Sequence, residues 1–189
     1  MKKGKIFVIS APSGSGKTTL CKRLLKECRN LVVSKSFTTR PLRKGEKNNR
    51  DYIFVSKKEF KKRVVQKNFL EWANVFGNFY GTPNGFVDKK INSSKSVMLV
   101  IDVQGAFKVK KRVPGAVLIF IMPPSIGELK SRLQKRKSDR LKDIKLRLKI
   151  AQKEITQAKK YDYIVVNEKI EAALLELKKI VALESKPKG

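Results

Sequence analysis

Short apolar runs alternate with segments of helical period along most of this chain. Four of the runs have the continuous apolar character of strands that are buried on both faces of a sheet. They are KIFVIS (5–10), KSVMLVID (95–102), AVLIFIM (116–122) and YDYIVV (161–166). A helical pattern follows each run, and the first and last of these helices extend over about 17–28 and to about Glu184. The alternation predicts an α/β fold with a central parallel sheet.

Two capping boxes mark helix starts independently of the apolar pattern. Ser56 is followed three residues later by Glu59, and Ser125 by Glu128. In such a pair the serine hydroxyl accepts a hydrogen bond from the backbone N–H of the glutamate, which is free at a helix start. We therefore expect helices to begin just after residues 56 and 125.

Two segments depart from this alternation. Residues 36–83 combine strand-like pieces with a basic, turn-rich loop, PLRKGEKNNR (41–50), and this composition indicates an insertion beside the sheet. Residues 126–150 are helical in period but crowded with lysine and arginine, which is typical of a mobile, charged cover. We predict one domain over 1–189, with a core formed by 1–35, 84–125 and 151–189, an inserted segment at 36–83 and a helical lid at 126–150.

The amino-acid composition limits the classes of protein to which this chain can belong. The 189 residues are 41% apolar, which suits one globular domain, and no apolar run approaches the ~20 residues that span a bilayer. The N-terminal lysines followed by IFVI resemble a signal peptide, but the apolar run is too short. Cys21 and Cys28 are too far apart along one helix to bridge, so we expect reduced thiols and a cytoplasmic, membrane-free protein.

The charge is strongly positive but dispersed. Lysine and arginine number 45 against 16 acidic residues, a formal charge of +29, and they occur mostly as lysine pairs without interleaved aromatic residues. We interpret them as a solvated surface and expect no dedicated nucleic-acid site. Histidine is absent, which excludes mechanisms that need an imidazole base or ligand.

Residues 11–18 read APSGSGKT, between a predicted strand and a predicted helix. This is the context of a phosphate-binding loop: Gly14 and Gly16 allow the backbone N–H groups to approach phosphate oxygens, Lys17 provides a cation, and Thr18 provides a hydroxyl for magnesium. Ala11 stands where the usual pattern begins with glycine. The motif predicts binding of a nucleoside triphosphate and a P-loop NTPase three-layer fold.

A second group of residues is suited to a phosphate monoester. Arg40 and Arg43 offer two guanidinium groups three residues apart, and Tyr52 adds a hydroxyl donor. The stretch SFTTRPLRKGEKNNRDYIFV (36–55) closely resembles the signature of guanylate kinases. The resemblance continues in order through FLEW (69–72), GNFYGT (77–82), IDVQGA (101–106), the arginines of the lid and YDYIVVN (161–167), over essentially the whole chain.

The resemblance implies a guanylate kinase, which transfers a phosphoryl group from ATP to GMP with Mg²⁺, in purine nucleotide metabolism. By position it implies catalytic roles for Lys17, Arg40, Arg132, Arg136 and Arg147, and a magnesium contact for Thr18. It implies ATP binding by Ala11, Pro12, Ser13, Gly14, Ser15, Gly16, Lys17, Thr18, Thr19 and Asn167. It implies GMP binding by Ser36, Arg40, Arg43, Glu46, Tyr52, Glu71, Tyr80, Thr82 and Asp102, with Glu46 orienting the arginines.

The base-reading assignment has a physical reason. Guanine presents adjacent N1–H and N2–H donors, which one carboxylate such as Glu71 can accept together, whereas adenine has an acceptor at N1. Hydroxyls of Ser36 and Thr82 can donate to O6. The acceptor is itself a phosphate that is largely anionic at neutral pH, so the reaction needs cations rather than a general base.

Two positions depart from the family pattern. Asn49 replaces a glycine, and we expect it to keep the turn because asparagine tolerates positive φ. Val100 occupies the first acidic position of the usual D-x-D run, so that only Asp102 remains, and we expect an altered magnesium shell.

Three alternatives remain open at this point. The chain could be a non-catalytic guanylate-kinase-like interaction module, a kinase of another monophosphate, or a basic P-loop protein that acts on nucleic acid. Use of dGMP beside GMP and the oligomeric state, monomer or homodimer, are also open.

Overall fold

The computed structural model describes residues 3–135 and 141–186. Its centre is a five-stranded parallel sheet with the order β2-β7-β1-β8-β9. These strands are β1 (Ile6–Ser10), β2 (Leu31–Ser34), β7 (Ser96–Val100), β8 (Val117–Met122) and β9 (Tyr163–Val166). Strands β3 (Phe37–Thr38), β4 (Ile53–Phe54), β5 (Phe69–Val75) and β6 (Asn78–Pro83) form a second sheet.

Strand β1 occupies the middle of the central sheet, and its burial explains its composition. Phe7, Val8 and Ile9 have no exposed surface, because β7 and β8 pair with the strand on both sides and helices cover both faces. The four strands expected from the apolar pattern are all present. The pattern missed β2, whose four residues LVVS give too short a run to separate from a loop.

Seven helices are described, and they surround the two sheets. Their bounds are α1 (Lys17–Glu27), α2 (Lys57–Val65), α3 (Asn84–Asn92), α4 (Val103–Arg112), α5 (Ile126–Lys135), α6 (Leu141–Thr156) and α7 (Ile170–Glu184). Apolar residues of α1 and α7 pack on one face of the central sheet, and those of α3 and α4 pack on the other. The predicted three-layer α/β fold is confirmed.

The second sheet has the order β4-β3-β6-β5 and carries α2 on it. Its centre is aromatic: the Phe60 ring of α2 stacks on Phe69 at 4.7 Å and on Phe79 at 5.4 Å between centroids. The Ser56 hydroxyl accepts a hydrogen bond from the Glu59 N–H at 3.1 Å, so the predicted cap of α2 is present. The segment expected to lie beside the main sheet therefore has its own packed core.

Helices α5 and α6 include the segment predicted to be a lid. The second predicted cap is present, with the Glu128 N–H donating to the Ser125 hydroxyl at 3.0 Å. Leu129 and Leu133 of α5 have no exposed surface and pack against apolar residues of α6. The charged cover expected from the sequence thus has a small apolar core. No helix of the described residues is long and apolar enough to cross a membrane.

Replacing Phe60 tests whether the aromatic stack holds the inserted segment together. The side chain is 1% exposed, so we expect Phe60→Ala to lower the free energy of unfolding by about 3 to 5 kcal/mol through lost apolar burial and a cavity. Urea denaturation would measure the change. Val65→Ala, at an 81% exposed position of the same helix, is the control and should stay within about 0.5 kcal/mol of the parent. Equal effects of the two substitutions would contradict the packing described here.

Candidate active site

The phosphate-binding loop connects β1 to α1 and folds around its glycines. Gly14 and Gly16 have φ values of +95° and +86°, which side chains other than glycine rarely adopt. A Cβ on Gly16 would also collide with the Asn167 amide, whose Nδ2 donates to the Ser15 carbonyl at 2.7 Å. Asn167, predicted to bind ATP, is therefore packed directly against the loop.

Lys17 is the first residue of α1, and its ammonium group lies over the ends of the central strands. Its Nζ donates to the Ile101 carbonyl at 3.5 Å. Burial lowers the pKa of Lys17, and the nearby charges of Asp102 and Glu154 act in the opposite direction. The same cleft contains the exposed hydroxyl of Thr18, so the cation and the hydroxyl expected for a triphosphate lie together.

Two arginines of the lid reach the phosphate loop and its surroundings. Arg147 Nη1 donates to the Ser13 hydroxyl at 3.0 Å. Arg132 approaches the Asn167 carbonyl at 3.4 Å and pairs with Glu128 at 2.9 Å. Arg136, also predicted from the sequence, lies outside the described residues. The residues predicted for ATP at 11–19 and 167 all belong to this loop and its rim.

A second cleft, of about 690 Å³, lies between the central sheet and the inserted segment. Arg40 is fixed there by Glu46, which accepts from Nη2 with both carboxylate oxygens at 2.8 and 3.0 Å. The backbone N–H of Arg43 donates to Glu46 at 2.9 Å. Burial alone would raise the pKa of Glu46, but these bonds and the charge of Arg40 outweigh it and lower that pKa.

Aromatic rings complete the cationic end of this second cleft. The Arg40 guanidinium lies 5.5 Å from the centre of the Tyr52 ring, which packs edge-on against Tyr80 at 6.0 Å. Both hydroxyl-bearing rings line the cleft with Arg43. Arg40, Arg43, Tyr52 and Tyr80, predicted to bind GMP, are thus assembled in one place with Glu46, predicted to orient the arginines.

The two departures from the family pattern both fall beside this cleft. Asn49 has φ of +59°, so the expected left-handed turn is confirmed, and its carbonyl accepts from Lys35 Nζ at 2.6 Å. Val100 lines the cleft at the end of β7, next to Met98 and Cys21. The side chain at position 100 therefore contributes an apolar wall in place of an acid.

Glu71 lies 5% exposed on β5, and Thr82 Oγ1 donates to its Oε1 at 2.6 Å. Burial raises the pKa of Glu71 to about 7, with a smaller contribution from the charge of Asp102 and an opposing one from the Thr82 hydrogen bond. A Cβ on Gly105 would approach Glu71 Oε2 at 2.7 Å, so glycine leaves the room that this carboxylate needs. Ser36, at the start of the inserted segment, is 7% exposed.

Asp102, like Glu71 and Thr82, does not line the cleft of Arg40 and Tyr52. Its Oδ1 accepts from the N–H groups of Gln104 and Gly105 at 2.8 and 3.2 Å and caps α4. The residue lines the phosphate-loop cleft together with Lys17. Glu154 of α6 lines the same cleft, and no sequence feature distinguishes it from the other charged residues of that helix.

Comparisons with known proteins agree with this geometry. A family model described as guanylate kinase matches residues 3–184. A guanylate kinase of Clostridium perfringens is 46% identical over 182 residues, which cover 96% of this chain and 84% of the relative. The chain belongs to the guanylate kinase family. A guanylate kinase of a Wolbachia species from Brugia malayi is 47% identical over 182 residues, covering 96% and 93% of the two chains.

A solved structure extends the match to three dimensions. The crystal structure of guanylate kinase from Anaplasma phagocytophilum superposes with a TM-score of 0.84 at 39% identity, covering 99% of this chain and 89% of the other. The family, the fold class and the enzyme class of nucleoside monophosphate kinases predicted from the sequence are confirmed. The guanylate kinase function is confirmed at the level of the family, and the interaction module is not favoured.

The raised pKa of Glu71 predicts how stability depends on pH. A carboxyl group whose folded-state pKa of about 7 exceeds its unfolded value of about 4.3 stabilises the fold at low pH, and this contribution is lost as pH rises through 7. Glu71→Gln keeps an acceptor for Thr82 but cannot ionise. We expect the variant to gain stability relative to the parent between pH 5 and pH 8, by on the order of 2 to 3 kcal/mol.

Urea denaturation of the two ligand-free proteins at both pH values would measure this difference. Comparing the variant with the parent cancels the titration of other groups, including Glu154. A difference in stability that is the same at pH 5 and pH 8 would show that Glu71 ionises normally.

Proposed function

We propose that this protein transfers the γ-phosphoryl group of ATP to GMP, giving ADP and GDP. The observation that carries the proposal is the position of Thr18, which lines both clefts: the one around the phosphate loop and the one around Arg40 and Tyr52. A triphosphate in the first cleft and a monophosphate in the second would therefore meet end to end, as in-line transfer requires.

The acceptor phosphate would bind to Arg40, Arg43, Tyr52 and Tyr80. The contact of Arg40 Nη2 with both carboxylate oxygens of Glu46 leaves Arg40 little freedom, so its guanidinium would be in place before the substrate arrives. Because the attacking oxygen is already anionic, the chain needs no proton acceptor at this point. The arginines and Lys17 would instead reduce repulsion between two highly charged nucleotides.

Guanine would be selected by Glu71, with Ser36 and Thr82. The buried Glu71 carboxylate, which accepts the Thr82 hydroxyl, can also accept the N1–H and N2–H of guanine, and adenine would leave it unpaired. In the ligand-free protein Thr82 donates to Glu71, so donation to guanine O6 would require the hydroxyl to turn. Because the Asp102 carboxylate caps α4, we expect it to lie between the two clefts rather than to contact the guanine base directly.

The residues present fit a magnesium ion that arrives with ATP. Thr18 offers a hydroxyl and Asp102 a carboxylate in the phosphate-loop cleft, which are the hard oxygen donors that Mg²⁺ prefers. When bound, the ion would neutralise charge on the β- and γ-phosphates. Val100 supplies no ligand, so water would complete more of the coordination shell.

The lid arginines would close over the transferred group. Arg147 already contacts the phosphate loop, Arg132 lies at its rim, and the resemblance adds Arg136. The division of the chain into core, acceptor segment at 36–83 and lid at 126–150 is part of this proposal, as are a cytoplasmic location and activity with dGMP. The monomer or homodimer state stays a prediction.

The acceptor preference tests the proposal. With ATP and Mg²⁺, ADP release should be fast with GMP and at least ~100-fold slower with AMP, CMP or UMP, because only guanine pairs with an ionised Glu71. A coupled assay of ADP formation measures this. Lys17→Ala should lower the rate with GMP by ~100-fold or more, since it removes a cation from the transition state.

Lys179→Ala, a charge-matched substitution on α7, is the control for Lys17→Ala and should leave the rate unchanged. Fast turnover with another monophosphate would contradict the assignment of Glu71. Absence of turnover with all four acceptors would contradict the proposed transfer itself.

A further inference from the structure

The phosphate-loop cleft contains a carboxylate that the proposed reaction does not use. Glu154 lies on the part of α6 that returns to the core, two turns after Arg147, and is half-buried. It lines the same cleft as Lys17 and Thr18. A second carboxylate, Asp102, lines the cleft as well. A site that would bind a polyanion thus includes two negative charges beside its cations.

Neither carboxylate is neutralised by a contact with Lys17. Within the described part of the chain, the ammonium group makes no ion pair within 4 Å, and its hydrogen bond is to the Ile101 carbonyl. Glu154 and Lys17 both line this cleft, and the charge of each acts on the pKa of the other. Phosphate groups entering this space would therefore meet the field of Glu154 as well as that of Lys17.

Burial makes this field stronger than it would be in water. It raises the pKa of Glu154 to about 7, and the charge of Lys17 acts to lower that pKa. At pH 8, above this pKa, the carboxylate is mostly ionised. Repulsion between it and a metal-free triphosphate is then large, whereas a divalent cation on the phosphates cancels much of it.

We propose that Glu154 is a specificity-determining residue that makes the cleft select the cation-bound triphosphate over the metal-free one. The proposal rests on the proposed function only in taking ATP as the ligand of this cleft. The described residues contain no group of three or more histidine, cysteine or acidic side chains that could hold a metal. The cation would come with the phosphates, and Glu154 would favour the complex that brings it.

The experiment is equilibrium binding of ATP by calorimetry at pH 8 and low salt, once with Mg²⁺ and once with EDTA, without acceptor. Glu154→Gln removes the charge and keeps the shape. We expect it to tighten binding of metal-free ATP by about 10-fold and to change binding of Mg-ATP by less than about 3-fold. The preference for the Mg²⁺ complex should fall accordingly.

Two further variants make the result specific. Glu154→Asp retains the carboxylate and should retain most of the preference for Mg-ATP. Glu176→Gln removes the same charge from an exposed position on α7 and should change neither affinity. A loss of packing would instead weaken both forms of ATP, and it would do so in Glu154→Asp as well.

The proposal is overturned if Glu154→Gln leaves the affinity for metal-free ATP within 2-fold of the parent, or if both forms of ATP change by the same factor. Failure of the proposed function has a separate readout. If the parent binds ATP but phosphorylates no monophosphate, the transfer reaction is wrong, while the binding comparison still decides the role of Glu154.

Discussion

Parallel pairing of β1 with β7 and β8 is the constraint on which the site depends. Because parallel strands end at a common edge of the sheet, the pairing places the phosphate loop after β1, Asp102 after β7 and Asn167 after β9 next to one another. Contacts across that edge then follow, such as Asn167 to Ser15 and Lys17 to Ile101. Because the inserted segment and helices α5 and α6 are attached near this edge, they face each other across it.

Burial at this edge of the sheet shifts the pKa values of three ionisable groups. It raises the pKa of Glu71 and of Glu154 to about 7 and lowers the pKa of Lys17. Two of these groups would gain a partner on binding, Glu71 from guanine N–H groups and Lys17 from phosphates, whereas Glu154 would gain none. Substrate binding would thus relieve part of the cost of burying these charges.

The extent to which the sequence predicts this structure follows from how local each feature is. The phosphate loop, the caps at Ser56 and Ser125 and the turn at Asn49 are set by residues close in sequence, and all were predictable. Strand β2 was not, because four residues show no periodicity and its strand state comes from pairing with β7. Asp102 could be identified from the sequence as a site residue, but its position could not be predicted, because its side chain caps α4 and this contact competes with one to the guanine base. Glu154 carries no sequence signal, because only the packing of α6 over the loop separates it from the other charges of that helix.

The central claim is that the two clefts bind two nucleotides end to end across Thr18, with ATP in one cleft and a guanine nucleotide in the other. The most direct test is binding of an analogue in which adenosine and guanosine are joined by a chain of phosphates. The account predicts that this analogue binds at least ~100-fold more tightly than ATP or GMP alone, through the effective concentration of the second nucleotide, and more tightly than the analogue with two adenosines. Equal affinity for the mixed analogue and for ATP alone would contradict it.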